Sequence, residues 1–209
     1  MFYISNIGRL RIQSDGEGIR TLIITHGCYL KCKYCINSHT WKANSPVKAR
    51  SLTAEDLYRE IVLDKLYFLS TGGGVTFGGG EPLQYADEIM EFRKISGSEF
   101  SIFAETSLNI ERKMVEKANS CVDHFIVDIK TMNTEVYRMY TGGELNISLD
   151  NLQWLLEHAG SEKVTVRIPI IPGYTTWKDQ KASEEALRKM GVTKFDLFTY
   201  IVKKTFKNL

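Results

Sequence analysis

An α/β fold, a partial (β/α)6 barrel of parallel strands, is what this 209-residue sequence predicts. Six short runs rich in β-branched and aromatic residues alternate with segments of helical periodicity, the pattern of crossover units that a parallel sheet requires. Glycine and proline punctuate the boundaries. The charged and glycine-rich motifs gather just after these runs, and in α/β folds ligands sit at the C-terminal ends of the strands. Six units suit an open or partial barrel better than a closed eightfold one.

In chain order, Asp15-Gly16-Glu17-Gly18-Ile19-Arg20 forms a glycine-rich turn, and Thr21 to Thr25 forms a buried strand. A loop carrying three cysteines follows. Polar sequence with Pro46 continues as loop from Asn37 to Arg50. A helix opens near Ser51 or Thr53, with Thr53-Ala54-Glu55-Asp56 a capping-box-like start, and Leu57, Ile61, Leu66 and Leu69 carry it near helical spacing to Ser70. Gly72-Gly73-Gly74 ends it. Val75-Thr76-Phe77 is a short strand that runs into Gly78-Gly79-Gly80-Glu81-Pro82. Next come a helix from Tyr85 to Ile95, a strand from Phe100 to Ala104 leading into Glu105-Thr106-Ser107, a helix from Ile110 to Ala118, and a strand from His124 to Val127 ending in Asp128-Ile129-Lys130. Thr134 to Tyr140 and Leu149 to His158 read as helices around the turn Thr141-Gly142-Gly143. Val164 to Ile171 is a strand stopped by Pro172-Gly173, Asp179 to Met190 is a helix, and Phe195 to Thr199 is the last strand.

Length and composition point to a single domain over residues 1–209, with no repeat, linker or low-complexity segment. A net charge of +2 makes no strong case for nucleic acid or an anionic membrane, which would need basic residues clustered on one face, and by itself decides nothing. No apolar stretch approaches the ~20 residues of a bilayer span, and Met1 to Leu10 lacks the basic and apolar regions of a signal peptide. Four cysteines, three of them crowded together, do not make a secreted disulfide framework. The expectation is a cytoplasmic monomer.

Cys28, Cys32 and Cys35 stand at C-x3-C-x2-C spacing. Three thiolates in one loop suit a soft metal centre but are one ligand short of a closed tetrahedral site. Two readings stay open. An iron–sulfur cluster with three protein thiolates leaves one iron free for another ligand; alternatively His39 completes a Cys3His structural zinc site as C-x3-C-x2-C-x3-H.

Taken with its neighbours, the loop resembles a known family. Cys28, Cys32 and Cys35, with Tyr34 before the last cysteine, look like the signature of the radical S-adenosylmethionine superfamily, and Gly79-Gly80-Glu81-Pro82 resembles its second motif. The finer pattern is similar to the glycyl-radical-enzyme activases: Asp15-Gly16-Glu17-Gly18-Ile19-Arg20, Cys35-Ile36-Asn37, Glu105-Thr106-Ser107, Val127-Asp128-Ile129-Lys130-Thr131-Met132-Asn133 and Arg167-Ile168-Pro169-Ile170-Ile171-Pro172-Gly173. This likeness implies a partial TIM-like barrel, the radical SAM core. It also implies one [4Fe-4S] cluster on Cys28, Cys32 and Cys35, with S-adenosylmethionine chelating the open iron. Gly78, Gly79 and Gly80 would offer backbone to that cofactor, Glu81 would accept from its ammonium, and the backbone at Tyr34 would meet its adenine. Lys130 and Arg167 would serve its carboxylate and ribose side. Glu105, Thr106 and Asp128 would supply oxygens, associated in the family with a monovalent cation. Asp15 and Lys130 are the catalytic candidates, with Asp15 and Gly16 bordering the entry of a peptide. The implied partners are a glycyl-radical enzyme and a flavodoxin or ferredoxin-type reductant, under anaerobic conditions.

The chain departs from the family pattern in places. Glu105 stands where many activases carry Asp, Leu108 where Gly often follows, and Glu17 replaces a common Pro. Ile201 aligns with a position where the best-known member has a His near the cofactor. With only Cys121 left over, one cluster is expected. Other readings remain for several residues: Asp128 and Lys130 as a surface pair, Arg167 as the neutraliser of a buried carboxylate, Glu105 and Thr106 as a helix cap, and Tyr29, Trp41 and Tyr137 as packing residues. A radical enzyme on a small molecule, like 7-carboxy-7-deazaguanine synthase, is the alternative function beside the zinc module. That family tends to carry Asp after its last cysteine, where this chain has Asn37.

Overall fold

The alternation of apolar runs becomes one eight-stranded sheet in the computed structural model, which describes residues 1–41 and 49–201. The strands are β1 (Phe2–Ile12), β2 (Ile19–Thr25), β3 (Arg50–Leu52), β4 (Gly74–Gly79), β5 (Ser101–Thr106), β6 (His124–Asp128), β7 (Val164–Ile170) and β8 (Lys194–Thr199), in the order β3-β1-β2-β4-β5-β6-β7-β8. From β2 through β8 every neighbouring pair is parallel. Helices supply the crossovers: α1 (Ala54–Ile61) and α2 (Lys65–Thr71), then α3 (Ala86–Ser96), α4 (Arg112–Asn119), α5 (Thr134–Thr141) with α6 (Leu145–Ala159), and α7 (Trp177–Lys189). The six parallel strands are those the sequence predicts, and the partial (β/α)6 barrel is open: among the described residues no ladder joins β3 to β8.

Period two along each strand sorts the side chains. One set, with Ile23, Val75, Phe77, Ile102, Ala104, Phe125, Val127, Val164, Val166 and Ile168, packs into the hydrophobic core under the helices. The other set, with Phe103, Glu105, His124, Ile126, Asp128, Thr165, Arg167, Lys194, Asp196 and Phe198, lines the barrel interior. Each strand is therefore apolar outside and chemically varied inside.

Several elements depart from expectation: β3 is a strand where none is predicted, and α6 begins at Leu145 rather than Leu149. Met1 to Leu10, which the sequence reading leaves unassigned, forms most of β1, antiparallel to β2 and β3; Phe2 and Ile4 are buried on one face, and Phe2 stacks on Phe77 at 5.5 Å. The helix expected from Thr53 to Ser70 keeps its capping box but divides into α1 and α2 at a 3-10 turn, Val62–Asp64. Asp64 is the cause. Its buried carboxylate accepts from Thr21 Oγ1 at 2.8 Å and from Arg9 at 3.3 Å, which pulls the turn onto β2 and β1. The loop around Pro46 and the lysine-rich tail after Ile201 lie outside the described residues. No helix among those described is long and apolar enough to cross a membrane.

Candidate cofactor site

Two loops build the site, and the sheet puts them side by side. The cysteine loop leaves β2 and the glycine loop leaves β4, its parallel neighbour. Backbone contacts then zip them: Gly80 N donates to Thr25 O at 3.0 Å and Glu81 N to Gly27 O at 2.8 Å. Gln84 Nε2 donates to the His26 and Gly27 carbonyls, both at 2.9 Å, and Asn37 Nδ2 to Gly79 O at 3.3 Å. On its other side the cysteine loop is held by the end of α5, with Lys31 N donating to Thr141 O at 2.7 Å and Lys33 N to Tyr140 O at 3.1 Å. The thiols are therefore presented by a clamped backbone.

Cys28, Cys32 and Cys35 line one cavity of about 290 Å³ together with Tyr34, Gly79, Gly80, Glu81, Glu105, Thr106, Asp128, Lys130 and Arg167. Burial pushes the Cys28 thiol up to about 12, with the Glu81 charge adding to it. It also raises Cys32, against the pull of the Lys130 ammonium.

Two ion pairs, Lys130–Asp128 and Arg167–Glu105, line the cavity beside the thiols. Lys130, 6% exposed, donates to Asp128 Oδ2 and to the Tyr200 hydroxyl, both at 2.8 Å. That is no surface pair. Although burial opposes its charge, the carboxylate of Asp128 and the neighbouring phenol hold the ammonium well above the ordinary lysine range. Arg167 donates to Glu105 Oε1 at 2.9 Å, to Asp196 Oδ2 at 3.1 Å and to the Ser14 carbonyl at 2.5 Å. Burial lifts the Glu105 carboxyl to about 7 while Arg167 pulls it down.

Several sequence-predicted residues have other tasks. Glu81 is buried, and both oxygens are occupied: Oε1 accepts from Thr106 Oγ1 at 2.7 Å and Leu83 N at 3.2 Å, Oε2 from Ser107 N at 3.1 Å and Ser107 Oγ at 2.8 Å. Its carboxylate ties the glycine loop to the end of β5, so acceptance from a ligand ammonium is not the use this geometry makes of it. Thr106 is spent on the same contact, and Glu105 and Thr106 cap no helix. Gly78 lies outside the cavity lining; Thr25 Oγ1 takes its carbonyl at 2.9 Å, and its bare Cα makes room for Glu105. Asp15 lines neither main cavity. Its buried carboxylate is paired with Arg11 and its carbonyl accepts from Thr76 Oγ1 at 2.7 Å, so the catalytic reading of Asp15 gives way to one of holding the glycine-rich turn. Tyr29, expected to pack, is 62% exposed.

The sequence reading also missed contributors. Tyr140, Phe198 and Tyr200 line the cavity, and Tyr140 and Tyr174 meet the Tyr34 ring edge-on at 6.0 and 5.9 Å. Tyr200 brings a hydroxyl to Lys130, whereas the adjacent Ile201 is 92% exposed. A second cavity, about 520 Å³, opens at the other end of the barrel among Gly16, Glu17, Phe103, His124, Thr165 and Lys194, and Arg167 borders both.

The donor set suits a soft centre: three thiols, Cys28, Cys32 and Cys35, face one cavity. His39, in the 3-10 turn Ser38–Thr40, is not in the lining and acts electrostatically on His26.

Comparison with known proteins agrees with this geometry. The sequence matches the profile of the Radical SAM superfamily over residues 22–190. The pyruvate formate-lyase-activating enzyme of Staphylococcus aureus (strain USA300) is 30% identical over 195 residues, which is 89% of this chain and 76% of that protein. Among solved structures, Streptococcus suis SuiB bound to precursor peptide SuiA aligns with TM-score 0.64 and 16% identity over 89% of this chain and 42% of that one. The anSMEcpe structure with bound AdoMet aligns with TM-score 0.57 and 14% identity over 84% of this chain. The chain spans about 40% of the length of SuiB and 49% of anSMEcpe, and at these identities the likeness establishes the fold.

Proposed function

Because the chain belongs to the radical SAM superfamily, on its glycyl-radical-enzyme-activase branch, we propose that it binds one [4Fe-4S] cluster and S-adenosylmethionine and installs a radical on a glycine of a partner enzyme. One observation carries this reading: the three cysteines share a single cavity with the glycine loop, Lys130 and Arg167. Cys28, Cys32 and Cys35 would hold the cluster. When bound, cluster and cofactor would supply, with one electron from the reductant, the reductive sulfonium cleavage and hydrogen abstraction that glycyl-radical formation needs.

The chain's own groups bind, orient and exclude water. Gly79 and Gly80 expose backbone without side chains in the way. Lys130 presents a fixed positive charge, and Arg167 a planar one, to the carboxylate and ribose side of the cofactor. The rings of Tyr34, Tyr140 and Tyr200 form an aromatic wall, where the backbone at Tyr34 would meet the adenine. Glu81 keeps Thr106 and Ser107 against the glycine loop. A monovalent cation at Glu105, Thr106 and Asp128 would share these carboxylates with Arg167, which holds Glu105 Oε1, and Lys130, which holds Asp128 Oδ2. The lower cavity beyond Arg167, bordered by Gly16, is where the glycine-bearing loop of the partner would enter. We assign the whole to a single cytoplasmic domain served by a flavodoxin or ferredoxin-type reductant.

Anaerobic reconstitution with iron and sulfide, then incubation with dithionite and S-adenosylmethionine, tests the first part: 5′-deoxyadenosine and methionine are expected in equal amounts. Their absence sinks the enzymatic reading. Adding a candidate glycyl-radical enzyme tests the second, with an EPR-detectable glycyl radical as the expected product. Cofactor cleavage without a radical on any such partner would favour a small-molecule substrate.

A further inference from the structure

We propose that Tyr140 is a cofactor-binding residue, whose phenol donates to S-adenosylmethionine a hydrogen bond that the protein leaves unused. The inference rests on the proposed function and adds to it a contact that no motif carries. Tyr140 is 1% exposed, lines the cysteine cavity, and its hydroxyl has no hydrogen-bond partner. Buried phenols ordinarily find one, because the lost hydration is otherwise uncompensated. Among the described residues two other buried side-chain atoms share this condition, Ser5 Oγ and His26 Nε2, and neither residue lines the cavity.

Tyr137 lies one turn earlier on α5. It is equally buried, but its hydroxyl meets Ser148 Oγ at 3.0 Å and Asn109 Nδ2 at 3.4 Å. The fold thus satisfies the phenol of Tyr137 and leaves without a partner the buried phenol of Tyr140, a residue of the cavity lining. Tyr140 is also held firmly: its carbonyl accepts from Lys33 N at 3.1 Å, and its ring lies against Tyr174 at 5.0 Å and Tyr34 at 6.0 Å. Burial pushes the phenol above its ordinary range, so it retains the proton and acts as a donor. The nearby Tyr200 hydroxyl already accepts from Lys130. What Tyr140 lacks is an acceptor, and S-adenosylmethionine brings several: ribose hydroxyls, adenine nitrogens and a carboxylate.

The test uses Tyr140→Phe in the full chain, with Tyr137→Phe as comparator. Apoprotein Tm of Y140F should equal or exceed wild type, whereas that of Y137F should fall. After reconstitution both should carry wild-type iron. The Kd for S-adenosylmethionine, measured by equilibrium dialysis without reductant, should rise roughly tenfold for Y140F and stay unchanged for Y137F. A lower apoprotein Tm for Y140F with unchanged affinity would make Tyr140 structural and overturn the assignment. Wild-type protein that takes up the cluster but no S-adenosylmethionine overturns the proposed function as well, so the two failures are told apart by the wild-type result.

Discussion

Gly80 lies against Gly27 so closely that a Cβ on Gly80 would stand 2.1 Å from the Gly27 carbonyl oxygen. The obstacle is backbone, itself pinned by Glu81 N and Gln84 Nε2, so it cannot swing aside as a side chain would. Gly80→Ala must therefore force the glycine loop off the cysteine loop. The expected result is a loss of about 2–3 kcal/mol in urea unfolding, with iron and sulfide content after reconstitution falling well below wild type. Wild-type iron content in G80A would show that the contact does not set the position of the thiols.

Lys130 makes a different prediction, because it and its partner Tyr200 can be removed separately. Lys130→Ala leaves the Asp128 carboxylate without its counter-charge; that carboxylate is about one-third exposed, which moderates the penalty to about 2 kcal/mol. Tyr200→Phe removes one neutral acceptor from the ammonium and should cost about 1 kcal/mol. Urea unfolding of the two variants and the double variant measures the coupling. Strict additivity would mean that Tyr200 does not support Lys130.

Much of this site was legible in sequence, because cysteine spacing, glycine runs and strand-end charges are local signals. The six parallel strands followed from apolar runs, and Lys130 and Arg167 stood out as charges at strand ends. Tyr140 did not stand out. It ends a helix whose pattern reads as packing, and the orphaned hydroxyl exists only because α5 docks under the cysteine loop. Nothing in a one-residue step says whether Tyr200 or Ile201 turns inward. The motif around Glu81 fits a ligand contact; its four acceptor contacts depend on how β5 ends beside the glycine loop. The split between α1 and α2 likewise hangs on Asp64 reaching β2, a long-range contact with no periodic signature.

Glu105 gives a pH dependence with a definite sign. Its folded carboxyl titrates at about 7 against an ordinary 4.5, chiefly through burial. The folded state then binds more protons than the unfolded state between those values, so this group's contribution is fully present below about 4.5 and is lost as pH rises through about 7. Apoprotein Tm should decline from pH 5 to pH 7.5, and Glu105→Gln should flatten that slope by an amount on the order of 2 kcal/mol. An unchanged slope in E105Q would mean that Arg167 keeps the carboxylate ionised throughout.

His39 separates the cluster from the zinc alternative. Being outside the cavity lining, it should be dispensable for metal retention: His39→Ala is expected to keep wild-type iron after reconstitution, while Cys28→Ala, Cys32→Ala and Cys35→Ala each lose most of it. Iron lost from H39A to the same extent as from the cysteine variants would restore His39 as a ligand.

Asp15 tests whether the glycine-rich turn performs chemistry or holds position. Its carboxylate faces Arg11, and Asp15 lines neither of the two main cavities, while the Ser14 carbonyl beside it receives Arg167. Asp15→Asn preserves shape and removes the charge opposite a part-exposed arginine, which should cost about 1 kcal/mol. Cleavage of S-adenosylmethionine by the reconstituted variant should stay within about threefold of wild type, a change of less than ~1 kcal/mol in the barrier. A catalytic carboxylate would instead contribute about a hundredfold or more. If D15N keeps wild-type stability and cluster content but cleaves a hundredfold more slowly, Asp15 acts on the cofactor directly and the role assigned to it here is wrong; if stability and cleavage fall together and Asp15→Glu restores neither, the turn geometry itself is what Arg167 depends on.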